Sequence, residues 1–174
     1  MERREFIKGA AALFSSVAAA DIASAQQAGE RVPKRSIVTS TAQLDPARPE
    51  IARLIAQACR RLGWEVESNP MDYNASINKV VMRHDFDMFL LHFAGAALRI
   101  DPHFFIYDAH HSAEYKPGGV NWMGYMNERL DAVATEQGRL MDFEKRSKPV
   151  FEAQEIIFQD QPGTVLAYPQ VMMA

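Results

Sequence analysis

The chain has 174 residues, 48% of them hydrophobic, a formal net charge of −3 and a single cysteine. That length and apolar content suit one folded domain rather than a disordered polymer, and the slight acidity leaves no basic excess for nucleic acid. Cys59 alone excludes an intrachain disulfide, so stability has to come from packing.

The first eight residues carry Arg3, Arg4 and Lys8, followed over residues 9–20 by a small-residue apolar run with Leu13, Phe14 and Val17. Ala23, Ser24 and Ala25 supply the small-x-small pattern of a signal-peptidase site, so residues 1–25 read as a cleavable export signal cut after Ala25. The paired arginines resemble a twin-arginine signal, which implies passage through the twin-arginine translocase and a periplasmic destination. Glu2 stands where Ser or Thr commonly precedes the pair, and a general secretory signal is the alternative. A membrane anchor fits less well, because a span needs roughly 20 apolar residues and this run is broken by Ser15, Ser16 and Asp21. Removing the signal leaves about 150 residues, one ordinary domain. Residues 26–35, polar with Gly29 and Pro33, read as a flexible leader, and the domain is expected over 36–174.

Ile37, Val38 and Thr39 predict a short strand. Ile51, Leu54, Ile55, Ala58, Cys59 and Leu62 recur with helical spacing, and Gly63 ends that helix. Residues 64–68 alternate and predict a second strand; Asp72 or Asn74 can cap a helix bearing Ile77, Val80, Val81 and His84. The apolar run Met88, Phe89, Leu90, Leu91 within 86–93 predicts a strand buried on both faces. Asp101 and Pro102 open another helix, Asn127 and Asp142 cap two more, and Pro149 should bend the last helix or delay its start. Gln161, Pro162 and Gly163 stop it, and residues 165–168 predict a last strand. This alternation argues an α/β three-layer sandwich around a mainly parallel sheet.

Catalytic signatures are absent: no G-x-S-x-G elbow, phosphate loop, dinucleotide turn or H-E-x-x-H pair. No enzyme and no cofactor is expected. His103, His110 and His111 with Asp108 and Glu114 offer imidazole and carboxylate donors for a transition metal, but adjacent loop histidines are more often solvated turn residues, and no metal is assigned.

The order of features across residues 36–169 resembles the second lobe of the extracellular family 5 solute-binding proteins, the receptors of peptide, oligopeptide and nickel ABC importers. The match is carried by residues 51–63 with Trp64, Glu65 and Val66; by Asp85, Phe86, Asp87 and Met88 leading to Gly95; and by Asp101 and Pro102. It continues through Asn121, Trp122, Gly124, Tyr125 and Asn127, then Leu130, Asp131, Arg146, and Glu152 to Ile157 ahead of Gln161 and Pro162. The resemblance implies a type II periplasmic-binding-protein lobe that captures a small solute and is met by ABC permease subunits. It implies ligand contact past the carboxyl end of the third strand, over residues 94–101, with Leu98, Arg99, Asn121 and Trp122 as candidate ligand-binding residues. Arg99 can equally be a solvated rim charge, Trp122 can pack its loop, and Asn121 can tie loop backbone. The resemblance also implies an acidic residue at the position of Leu98, so a less cationic solute, such as a sugar or an opine-like compound, is expected in place of a plain dipeptide. The family's first lobe is missing on either side, which implies a truncated receptor. A lone lobe exposes apolar surface and is prone to self-association, and an exported interaction or scaffold module without a small-molecule site is the alternative function.

Overall fold

The computed structural model describes residues 32–93 and 96–167, so the expected signal peptide and cleavage site lie outside the described residues. The chain divides into two compact units, one holding the sheet and one made of residues 78–84 and the chain from Phe93 onward.

The sheet unit is built on β1 (Arg35–Ser40), α1 (Ala47–Arg61), β2 (Val66–Met71), the short α2 (Tyr73–Ile77) and β3 (Met88–Phe89). All three strands are parallel, in the order β2-β1-β3. Parallel neighbours need a crossover, and α1 supplies it between β1 and β2. Ile37, Val38, Thr39 and Ser40 are all at most 3% exposed, so both faces of the central strand are covered. The expected strand over 64–68 begins and ends later and includes Pro70, which an edge strand tolerates because its free side asks for no donor. The expected long strand over 86–93 contracts to Met88 and Phe89, although the Leu90 amide still donates to the Val38 carbonyl at 2.9 Å.

Helix α1 forms where expected but buries a different stripe. Ala52 and Ala56 are fully enclosed against Ile37 and Val66, with Ile55 and Cys59 packed alongside, whereas Leu54 and Leu62 are more than half exposed. Alanine has no side chain beyond Cβ, so turning this face inward lets the helix backbone approach the strands closely; the larger leucines are left outside. Glu50 in the first turn and Arg60 and Arg61 in the last complement the helix dipole. Gly63, at φ 82°, ends the helix: its amide reaches the Arg60 carbonyl and that of Trp64 the Cys59 carbonyl. Burial pushes the Cys59 thiol pKa up, which disfavours the reactive thiolate.

The helical unit holds a π-helical turn (Asn78–Met82), a 3-10 turn (Ala97–Arg99), a second π-helical turn (Phe104–Asp108), α3 (Glu128–Arg139) and α4 (Phe143–Asp160). Its core joins Ile106, Leu130, Val133, Ala134 and Ala153. Both expected caps form: the Asn127 side chain accepts from the amides of Arg129 and Leu130, and that of Asp142 from the amide of Lys145. Pro149 lies buried well inside α4, so the helix start is not delayed. Residues 165–167 form no strand, contrary to expectation, and Tyr168 is outside the described residues. Among the described residues no helix is long and apolar enough to cross a membrane.

Candidate functional site

The segment after β3 contains Leu98 and Arg99 in one 3-10 turn. The Arg99 guanidinium lies 5.3 Å from the Phe93 ring centroid and 5.2 Å from that of Phe104. A cation over aromatic faces is attracted by their quadrupoles and loses side-chain freedom. Phe93 is the hub of this cluster: its ring is stacked on Trp122 at 6.0 Å and meets Phe104 and Phe105 edge-on at 5.6 and 5.5 Å. One candidate cation and one candidate aromatic face are thus brought together through Phe93, a residue the sequence reading did not single out.

Trp122 and Asn121 sit in a loop whose backbone is tied down by their own side chains. The Trp122 indole N–H donates to the Gly119 carbonyl at 2.7 Å. Asn121 is fully enclosed; its amide nitrogen donates to the carbonyls of His111 and Tyr125, and its oxygen accepts from the Tyr125 amide at 3.2 Å. Two glycines are required here. A Cβ on Gly119 would stand 2.1 Å from the Glu114 carbonyl oxygen, and Gly124, at φ 66°, lies against the Tyr115 ring. The Tyr125 hydroxyl donates to Asp160 at 2.5 Å, and its pKa is pushed up to about 12, first by desolvation and then by that carboxylate.

The three loop histidines are committed separately. His103 Nδ1 meets the Gln137 side-chain nitrogen at 2.9 Å, and its ring stacks on Tyr107. His110 Nδ1 donates to the Phe105 carbonyl at 2.7 Å, and burial lowers its pKa. His111 Nδ1 accepts from the Ala113 amide, which leaves Nε2 to donate to Thr135 Oγ1 at 3.2 Å. Among the described residues no three His, Cys, Asp or Glu side chains converge as a metal cluster.

Beneath the 3-10 turn runs a polar network that the sequence did not disclose. Asp101 accepts from the His103 amide, as a helix-opening cap does, and both its oxygens accept from the Arg146 guanidinium. Those bonds, Arg146 first, hold its carboxyl at about 2. Gln137, at 0% exposure, links everything: its oxygen accepts from Arg146 Nε at 3.0 Å, and its nitrogen bonds the Ala134 carbonyl and His103. Arg146 is therefore spent on structure. Open depressions among the described residues of this unit include two. One, of about 600 Å³, is bordered by Ile100, Asp101, Phe143, Arg146 and Phe151. The other, of about 630 Å³, is bordered by His111, Asp131, Thr135, Glu136 and Arg139. Neither is lined by Arg99, Asn121 or Trp122.

No family model matches the chain. The oligopeptide-binding protein AppA of Bacillus subtilis is 28% identical over 142 residues, 81% of this chain and 25% of that protein. The solved structure of the Bacillus subtilis oligopeptide-binding protein AppA in complex with a nonapeptide superposes with a TM-score of 0.64 at 24% identity, covering 74% of this chain and 24% of the other. The Helicobacter pylori ABC transporter-associated periplasmic binding protein DppA, in complex with peptide STSA, gives a TM-score of 0.63 at 23% identity, covering 79% and 26%. Campylobacter jejuni NikZ, in complex with Ni(L-His), gives 0.60 at 17% identity, covering 74% and 25%. The chain spans about a quarter of the length of these relatives. Over most of its described length it has the α/β fold of a segment of the periplasmic solute-binding proteins, parallel sheet included.

Proposed function

We propose that the chain serves solute capture outside the cytoplasmic membrane for an ABC-type importer. The observation that carries this reading is sequence similarity to an oligopeptide-binding protein over 81% of the chain. In this reading residues 1–25 direct export through the twin-arginine translocase, Ala25 precedes the cut, and permease subunits are the membrane partners.

Leu98, Arg99 and Trp122 are the proposed ligand contacts, with Asn121 fixing the loop that presents Trp122. Arg99, held over the Phe93 and Phe104 rings, brings a positive charge to a carboxylate or phosphate, and the Phe93–Trp122 stack offers an apolar face beside it. Leu98 gives an ammonium no counter-charge, so the favoured solute carries an anionic group and little positive charge. Calorimetric titration of the chain with di- to nonapeptides and with anionic sugars and opine-like compounds tests this. Micromolar binding of an anionic solute, weakened at least tenfold by Arg99→Ala and not by Arg53→Ala on α1, is expected. Micromolar binding of ordinary dipeptides, unchanged by Arg99→Ala, overturns the solute class; heat from none of them overturns capture itself. Export is tested separately: replacing Arg3 and Arg4 with lysine should leave the protein uncut in the cytoplasm.

A further inference from the structure

One ring nitrogen of His111 has two claimants. Its Nδ1 accepts from the Ala113 amide at 3.0 Å and so caps a 3-10 turn (Ser112–Glu114). The same nitrogen stands 3.5 Å from Asp131 Oδ1, which itself accepts from the Ser112 amide at 2.9 Å. Two acceptors thus lie side by side, each held by the amide of a neighbouring residue. A neutral imidazole with its proton on Nε2 satisfies this arrangement, because Nε2 then donates to Thr135 Oγ1. A charged imidazole cannot: both of its nitrogens are donors, and the Ala113 amide loses its acceptor.

We propose that His111 is a proton-operated latch on the loop that carries Asn121 and Trp122. Neutral, the ring caps the 3-10 turn; protonated, it gives Nδ1–H to Asp131 and lets the Ala113 amide go. Histidine is the side chain that ordinarily changes charge between about pH 5 and 8. The charged form finds its new partners in place. The His111 and Asp131 side chains are 12% and 21% exposed, so their attraction is weakly screened. The Tyr107 ring, 4.3 Å away, offers a π-system to the cation. The open depression bordered by His111, Asp131 and Thr135 lets water deliver the proton.

The latch reaches the loop through the backbone. The His111 carbonyl accepts from the Asn121 amide nitrogen at 3.2 Å and from the Glu114 amide at 3.0 Å, and the Glu114 carbonyl is the atom packed against Gly119. A shift of the 3-10 turn therefore shifts the anchor of Asn121. The other titratable and charged groups on the elements around the ring are Glu136 and Arg139 of α3, Tyr107 and Asp108 of the π-helical turn with His103 stacked on Tyr107, His110 and Glu114 of its own segment, and Lys116 and Tyr125 of the loop. Among the described residues only Asp131 brings a carboxylate oxygen within ion-pair reach of the ring. The inference stands on this geometry and not on solute capture, so either can fail without the other.

Nuclear magnetic resonance of the isotope-labelled full chain, taken from about pH 8 down to about pH 5, tests it. As the His111 ring titrates, the Ala113 amide signal should move and its protection against hydrogen exchange should fall at least tenfold. The Asn121 side-chain amide signals should follow with the same midpoint. His111→Asn keeps an oxygen for the Ala113 amide but has no proton to titrate, and should hold the high-pH pattern throughout; His111→Ala should leave Ala113 unprotected at every pH. An Ala113 amide that stays protected while the ring titrates overturns the latch, and the parent chain alone carries that reading. A ring that remains neutral over the whole range overturns it as well, as does a pH response that survives in His111→Asn. Movement of Ala113 without Asn121 overturns its reach into the loop.

Discussion

The sheet unit and the helical unit solve the same problem with different chemistry. The sheet unit closes its core with Ile37, Ala52, Ala56 and Val66 and keeps its ion pairs at the rim, Arg35 with Asp87 and Lys34 with Glu67, both at 2.7 Å. The helical unit also has an apolar core, but it buries two amide side chains, Asn121 and Gln137, and hangs its loops from them. Apolar packing tolerates exchange of one hydrocarbon for another of like volume. A buried amide tolerates almost nothing, because each partner it abandons loses a bond it cannot recover from water.

The largest effect should come from a change that does not conserve volume in the apolar core of the sheet unit. Ile37→Ala removes three carbons between two helix alanines that have no side chain with which to fill the space, and about 3 kcal/mol of stability should go with them. Urea denaturation measures the loss, and hydrogen exchange should show faster opening of β1 and α1 amides. Ile37→Val should cost about 1 kcal/mol. Gln137→Leu poses the opposite question, since it nearly conserves volume and deletes the polar links to Ala134, His103 and Arg146. About 2 kcal/mol should be lost. If Gln137→Leu proves neutral while Ile37→Ala does not, the helical unit is an apolar core after all and the contrast collapses.

The same contrast explains how much could be read in advance. Caps are local: Asn127 and Asp142 act on amides two or three residues away, so both helix starts were legible. Parallel strands with helical crossovers followed from apolar runs of the right length. The face of α1 was misjudged because periodicity weighs leucine above alanine, whereas close approach to a sheet rewards the smaller residue. The stretch at 165–167 has strand-like side chains but pairs with no strand among the described residues. Gln137 was illegible in principle, since its partners His103 and Arg146 lie 34 and 9 residues away. Arg99 and Trp122 were singled out, yet Phe93, which joins them, was not. The missing signal was the aromatic density of Phe93, Phe104, Phe105 and Trp122 around one arginine.

Of the smaller effects, Asn127→Ala isolates a cap. Its oxygen serves two amides at the start of α3, and its nitrogen donates to Asp160 at 2.8 Å. About 1 kcal/mol should be lost, with exchange faster in the first turn of α3. The sheet unit should not respond; any matching rise in β1 exchange would mean that the two units open together.

Acid separates the units most finely. Asp101 is held at about 2, below its ordinary 3.8. A depressed carboxyl contributes its full stability above the unfolded value and loses it as pH falls through the folded one. The contribution should accordingly be present at neutral pH, begin to fall near pH 4 and be gone just below pH 2. Half of the Asp101 side chain is exposed, and solvent screening limits the pair to roughly 1 kcal/mol. Asp101→Asn should be less stable than the parent at pH 7 by that amount, and the two unfolding curves should converge as pH approaches 2. Asp45 and Asp87 of the sheet unit are also lowered by arginine partners, and they titrate alike in parent and variant. Subtracting the two pH profiles thus cancels the sheet unit and leaves the Asp101–Arg146 link alone. A difference that stays constant down to pH 2 would show that asparagine disturbs the cap on His103 and not the ion pair with Arg146.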